Sequence, residues 1–224
     1  MIEIEIDHVG DYARVRMAAG DTNALTTTRG KALSSAIAEA QKSARGVLLC
    51  GGEKFFSNGA DLSWALEQSS DEMRKMFLAL GQCVVDIMEL PIPVVGAIRG
   101  HAIGGGLAIL LACDYRYGAT GRVLVGKPEI LLGVPNPYFG DQLLRFIAGD
   151  FVASNLIYTG KLVRAEEAVT LSLIHAVTEK SKVEEMALEQ LEFLGQLAPQ
   201  AFAESKQMRT GNLCADLRQQ MSSR

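Results

Sequence analysis

Residues 91–112 read PIPVVGAIRGHAIGGGLAILLA, and the order of events in that stretch decides the fold. Pro91 and Pro93 end whatever helix precedes them, because proline offers no N–H and clashes with the turn before it. Val94–Ile98 is then a short, wholly apolar run, the pattern of a strand covered on both faces of a parallel sheet. Gly104, Gly105 and Gly106 make a turn, and Leu107–Ala112 continues as an apolar helix. Strand, glycine turn and helix in so short a stretch form the repeating unit of an α/β protein.

The same unit recurs on either side. Gly46–Cys50 is an apolar strand ended by Gly51 and Gly52, and Ser70–Met88 has helical spacing, with Ser70 as cap and Asp71 and Glu72 in its first turn. Asp114–Tyr117 and Arg122–Val125 read as strands before a helix at Phe139–Ile147. Upstream, Ile2–Ile6 and Tyr12–Met17 alternate apolar with polar and predict a hairpin, followed by a helix from Thr26 to Ala44 with Thr28 as its cap. Downstream come a short helix at Arg164–Leu171, a strand at Leu173–Val177 and helix from Ser181 on. The reading is one α/β unit over residues 1–180 with a C-terminal helical segment over 181–224.

Composition narrows the function classes. With 224 residues, 48% hydrophobic and 21% charged, the chain has the profile of a globular protein that buries a full core. A net charge of −4 without a basic run gives no nucleic-acid face, and the apolar stretch Ile103–Cys113 is too short to span a bilayer. Cys50, Cys83, Cys113 and Cys214 form no CxxC pair, and all but Cys214 lie in apolar stretches, which suits buried thiols in a reducing compartment. No basic start with an apolar run opens the chain, so a cytoplasmic location is expected. His8 and His175 have no Cys or acidic partner at ligand spacing, so no metal site is expected.

Two glycine turns carry the chemistry. In Phe55–Leu62 (FFSNGADL), Asn58 and Gly59 supply a positive-φ position, which by itself reads as an ordinary turn. In Gly100–Leu107 the glycines leave backbone N–H groups free at a helix start, or simply let helix and strand pack closely. The spacing is not G-x-G-x-x-G, which argues against a dinucleotide site. Together the two turns are more informative, because each can aim one N–H at a single oxygen that gains negative charge.

Four ordered motifs carry a family resemblance: Phe56–Leu62 (FSNGADL), residues 91–106, the Ala112-Cys113-Asp114 step and Gly126–Gly133 (GKPEILLG). With them the chain resembles the enoyl-CoA hydratase/isomerase (crotonase) family from about Asn23 to residues 165–168. The resemblance implies a spiral of ββα units, assembled as a homotrimer or a dimer of trimers, and a place in fatty acid metabolism. It implies an acyl-CoA thioester substrate, with coenzyme A as part of that substrate and no separate cofactor. The oxyanion donors would be the backbone N–H groups of Ala60 and Gly105, beside Gly104. CoA would lie along Asp21, Thr22, Asn23, Ala24 and Leu25 and the loop Ser57, Asn58, Gly59 and Asp61, with Leu62 next to it. Many family members continue past the position of Arg224 with helices that cover the acyl pocket, so that cover is expected to differ here.

Hydratases of the family carry two glutamates; one falls at Ala108 in this sequence, the other at Glu129. One carboxylate suffices to move a double bond, and Phe55–Ala65 is similar to the plant-type Δ3,Δ2-enoyl-CoA isomerases. The expectation is an isomerase with Glu129 as its single acid/base, made a stronger base by burial among Leu124, Ile130, Leu131 and Leu132. Other fates of the enolate (hydration, decarboxylation, carbon-carbon bond formation) and non-catalytic acyl-CoA binding are the alternatives. His101 is a candidate second proton carrier, though a packed histidine is the commoner outcome. Trp64, Leu62 and Leu66 are candidates for the acyl pocket, Tyr138 and Asn136 for a polar substrate group, and Lys127 and Arg99 for CoA phosphates.

Overall fold

The computed structural model describes residues 3–61, 64–65 and 67–223. The chain opens with the hairpin β1 (Ile4–Val9) and β2 (Tyr12–Met17), followed by α1 (Thr27–Ala40). Three turns of a spiral follow. The first is β3 (Val47–Cys50), β4 (Phe55–Ser57) and α2 (Ser70–Glu89); the second is β5 (Val94–Ile98), β6 (His101–Ile103) and α3 (Gly105–Ala112). The third is β7 (Tyr115–Ala119), β8 (Leu124–Gly126), a 3₁₀ turn (Glu129–Leu132) and α4 (Tyr138–Thr159). After β9 (Leu162–Arg164), α5 (Ala165–Thr170) and β10 (Ala176–Thr178) come α6 (Val183–Gly195) and α7 (Pro199–Ser222).

In each turn the first strand joins a large sheet and the second a small one. The large sheet has the order β1-β2-β3-β5-β7-β10, antiparallel at the opening hairpin and parallel from β2 onward. The small sheet has the order β4-β6-β8-β9, parallel except where β9 runs back along β8. Every residue of β3 and β5 is buried, which is why both read as unbroken apolar runs. The 181–224 segment divides in two. Val183, Ala187 and Leu191 of α6 are fully buried in the common core, while α7 lies along α2.

Several boundaries move from their expected places. Thr26, not Thr28, caps α1 by accepting from Arg29 N, and Ser69, not Ser70, caps α2 by accepting from Glu72 N. In both cases the β-region residue just before the helix holds the oxygen that meets its free N–H. The Phe55–Ser57 segment, read as part of a turn, is a strand, and so is Leu162–Arg164; three-residue strands give no alternation to detect. The helix expected at 139–147 runs to Thr159, broken only at Gly149 (φ 80). The strand expected at 173–177 begins at Ala176, because Leu173 and Ile174 turn into the core.

All four cysteines are buried free thiols; desolvation pushes Cys50, Cys83 and Cys113 up to about 12 and Cys214 to about 11. No described helix is long and apolar enough to cross a membrane.

Two contacts fix the parts that matter for the site. A Cβ on Gly106 would lie 2.3 Å from Ser57 O, so only glycine lets α3 approach β4. Lys206 of α7, 6% exposed, reaches Asp114 Oδ2 at 2.8 Å, and the same oxygen accepts from Val94 N. We expect Gly106→Ala to destabilise the protein by about 1–3 kcal/mol through overpacking, measured by denaturant unfolding. Lys206→Ala should lower stability by about 3 kcal/mol, since it strands a mostly buried carboxylate; a midpoint equal to that of the parent protein would refute this account of how α7 is tied down.

Candidate active site

The first turn is built by Ser57 and Leu25. Ser57 is fully buried; its hydroxyl donates to Asn23 O (2.7 Å) and accepts from Gly59 N (3.1 Å). Leu25 N donates to Gly59 O and Asp61 N donates to Leu25 O, which leaves the Ala60 N–H between them outside the ladder. Gly59 has φ +79, and a Cβ there would stand 2.9 Å from Gly105 N and 2.8 Å from Ile103 O. The two glycine turns therefore touch backbone to backbone. Gly105 is the first residue of α3, so its N–H has no acceptor within the helix and carries the positive end of the helix dipole.

Glu129 reaches the same place from the third turn of the spiral. It follows Pro128 at the end of β8, and its Oε1 lies 3.4 Å from where a Gly104 Cβ would be. A cavity of about 80 Å³ is lined by Ala60, Gly105 and Glu129 on one side and by Met73, Met76 and Phe77 of α2 on the other. Glu129 is the one ionisable group on its wall among the described residues. Two backbone donors and a carboxylate thus face one apolar space.

The apolar shell expected around Glu129 is only partly there: Leu132 shares its cavity wall and Leu124 is half-buried in β8. Ile130, Leu131 and Leu132 are 46%, 69% and 55% exposed, because a 3₁₀ turn points successive side chains away from the core. The neighbour of the carboxylate is Lys127, whose Nζ lies 2.6 Å from Oε1 with the side chain 1% exposed. Lys127 therefore does not reach toward CoA phosphates. Burial pulls its pKa below the ordinary lysine value, and the charge on Glu129 opposes that shift. Arg99 is occupied too, paired with Glu53 at 2.8 Å and Glu184 at 3.1 Å.

The residues expected along CoA split into two groups. Asp21, Thr22 and Asn58 are exposed, and Asn58 reaches the cavity wall. Asn23, by contrast, is 1% exposed, with Nδ2 donating to Met17 O and Phe56 O and Oδ1 accepting from Ala19 N. Ala24 and Leu25 are buried, and Asp61 accepts from Trp64 N and pairs with Arg29. In Asn23, Ser57 and Asp61 the side chains hold the turn, and Asn23 and Ser57 are buried whole. Leu62 and Leu66 lie outside the described residues. Trp64 packs on the core and does not line the cavity, where its neighbour Ala65 does.

Tyr138 is not turned toward Glu129: its hydroxyl donates to Asp216 of α7 at 2.7 Å. With Asn136 it lines a separate groove of about 640 Å³ between α2 and α7, which shares Met73 and Phe77 with the smaller cavity. His101 is a packed residue; its Nδ1 accepts from Leu124 N, its ring meets Phe55 edge-on, and burial lowers its pKa. His175 accepts from Arg116 N and is pulled down to about 4, chiefly by burial. Ala108 is 1% exposed within α3. Among the described residues no group of three or more His, Cys, Asp or Glu gathers as a metal site would require.

Sequence reasoning missed the Lys127–Glu129 pair and the role of α2. A lysine closing an apolar strand two residues before the glutamate was the available signal for the pair. Met73, Met76 and Phe77 were marked only by helical spacing.

Comparison with known proteins bears on the chain as a whole. The sequence profile described as Enoyl-CoA hydratase/isomerase matches residues 13–223. A short-chain-enoyl-CoA hydratase of Clostridium acetobutylicum is 36% identical over 189 residues, covering 83% of this chain and 72% of that protein. The human peroxisomal bifunctional enzyme is 34% identical over 77% of this chain, which spans 23% of that much longer protein. Among solved structures, an enoyl-CoA hydratase from Bacillus anthracis superposes with a TM-score of 0.88 at 27% identity, covering 99% of this chain and 90% of the other. An enoyl-CoA hydratase/isomerase family protein from Pseudomonas syringae gives 0.94 at 20% identity, covering 99% and 96%, a likeness of fold. On the profile match, the sequence identity and the shared spiral of ββα units, the chain belongs to the enoyl-CoA hydratase/isomerase family.

Proposed function

We propose that the protein is an enoyl-CoA isomerase that moves the double bond of a 3-enoyl-CoA to the 2-position. The observation that carries this reading is the single carboxylate: Glu129 is the only ionisable group on the cavity wall among the described residues, and Ala108 stands where a second glutamate would. Glu129 takes a proton from C2, and the C–H electrons move toward the thioester carbonyl, conjugated with the 3,4 double bond. The oxygen then carries negative charge, and the N–H groups of Ala60 and Gly105 donate to it where the dipole of α3 also favours an anion. Glu129, now a carboxylic acid, returns the proton at C4, and the carbonyl re-forms with the double bond between C2 and C3. No group beyond the CoA thioester is needed, and the same proposal includes assembly as a homotrimer or a dimer of trimers in the cytoplasm.

Hydration of a 2-enoyl-CoA is the second reading, supported by the likeness to the short-chain-enoyl-CoA hydratase of Clostridium acetobutylicum. There Glu129 alone would hold and activate the water, without the second carboxylate. Decarboxylation and carbon-carbon bond formation would share the enolate held by the same two N–H groups, but no further feature of the cavity favours them.

Two substrates separate these readings. With trans-3-hexenoyl-CoA, the conjugated thioester absorbance should rise; with crotonyl-CoA it should stay constant. Loss of the crotonyl-CoA absorbance would replace isomerisation by hydration, and no change with either would remove both. Glu129→Gln should lower kcat by about 10³-fold while the protein still binds acyl-CoA, as expected for loss of a positioned acid/base; full activity in that variant would exclude the single-base mechanism.

A further inference from the structure

The Lys127 ammonium is the feature that the proton shuttle leaves unexplained. It is 1% exposed, and its 2.6 Å approach to Glu129 Oε1 is off-axis for a hydrogen bond. Nζ, Glu129 Oε2 and both amide atoms of Asn136 are buried with no hydrogen-bond partner among the described residues. The space is shaped for this group. A Cβ on Gly140, in the first turn of α4, would lie 2.8 Å from Lys127 Nζ and 3.0 Å from Asn136 Oδ1. Stability alone does not account for such a pair, since an apolar replacement of a buried ion pair is often equally stable.

The other charges near Glu129 are already occupied or turned away. α3 carries no charged residue, and His101 of β6 is bound through Nδ1 to Leu124 N. Asp141 and Arg145 of α4 pair with each other at 2.9 Å, and Asp61 of the facing turn pairs with Arg29. Arg74 of α2 lines the neighbouring groove, and Asp71 and Glu72 pair with Lys75. Lys127 is therefore the charge that acts on the carboxylate.

We propose that Lys127 is a positioning residue: its buried ammonium, 2.6 Å from Glu129 Oε1, holds that carboxylate aligned against Gly104. The proposal rests on the reading of Glu129 as the acid/base. Its consequence is geometric. A carboxylate tied in one orientation can take the proton at C2 and return it at C4 without first searching for either carbon.

Two measurements test it. The first is a split of the kinetic constants: Lys127→Met unties the carboxylate, so kcat should fall by about 10²-fold. KM should change much less than kcat, and Lys127→Arg, which keeps the charge, should restore part of the lost kcat. The second measurement needs no turnover. Glu129→Gln strands a buried ammonium, and its Tm at neutral pH should drop by on the order of 10 °C. The lysine then binds a proton more tightly unfolded than folded, so that deficit should shrink as pH rises toward the ordinary lysine pKa. The Lys127→Met/Glu129→Gln double variant should regain most of the lost Tm. Additive Tm changes in the double variant would overturn the pairing. Coupled Tm values with an unchanged kcat in Lys127→Met would overturn the positioning role alone, and no turnover of either thioester would overturn the function on which that role depends.

Discussion

Everything in this molecule is arranged around a backbone-to-backbone contact in which Gly59 rests on Ile103 O and Gly105 N. Two N–H groups from turns more than forty residues apart can face one oxygen only if no side chain stands between the turns. Glycine at 59, 104, 105 and 106 removes those side chains, and the small sheet supplies the register. β4 and β6 lie side by side and parallel, so the turns leaving them emerge at the same edge and height. The large sheet and its helices hold that edge still: β3 and β5, which lead into the small-sheet strands, are buried throughout. Rigidity is what gives such donors their effect, because preorganised dipoles need no reorientation when charge develops.

Glu129 is held by a different kind of force. Ala60 and Gly105 are placed by chain geometry, whereas Glu129 sits on a short 3₁₀ turn with exposed flanks and has the Lys127 ammonium 2.6 Å from its Oε1. The site therefore combines neutral dipoles on one side with an ion pair on the other. Between them the wall is methionine and phenylalanine from α2, side chains that adapt to an acyl group without offering it a hydrogen bond.

Much of this was legible from sequence, for physical reasons that differ from residue to residue. Val94–Ile98 is found at its expected bounds because proline and glycine mark both ends of an unbroken apolar run. Each glycine turn alone had an ordinary reading, and they became legible as a pair, because each can aim one N–H at the same point. The small sheet was not, since three-residue strands such as β4 and β9 leave no periodic trace and owe their conformation to neighbours distant in sequence. The surroundings of Glu129 were misread for a related reason. Ile130, Leu131 and Leu132 look like a buried run, but the 3₁₀ turn exposes them, and the lysine that looked like a surface cation is buried. Asn23 and Ser57 likewise resembled ligand contacts, while their hydrogen bonds show them tying the turn to its own chain.

The four buried thiols give the molecule built-in reporters of its own opening. Cys50 lies on β3, Cys83 on α2, Cys113 at the end of α3 and Cys214 on α7, so each belongs to a different element. Burial suppresses the thiolate form that an alkylating reagent attacks, so each sulfur reacts only when its element parts from the core. The order in which the four are modified would give the sequence in which the fold comes apart: Cys214 first if α7 lifts from α2 alone, all four together if the spiral opens as one cooperative unit.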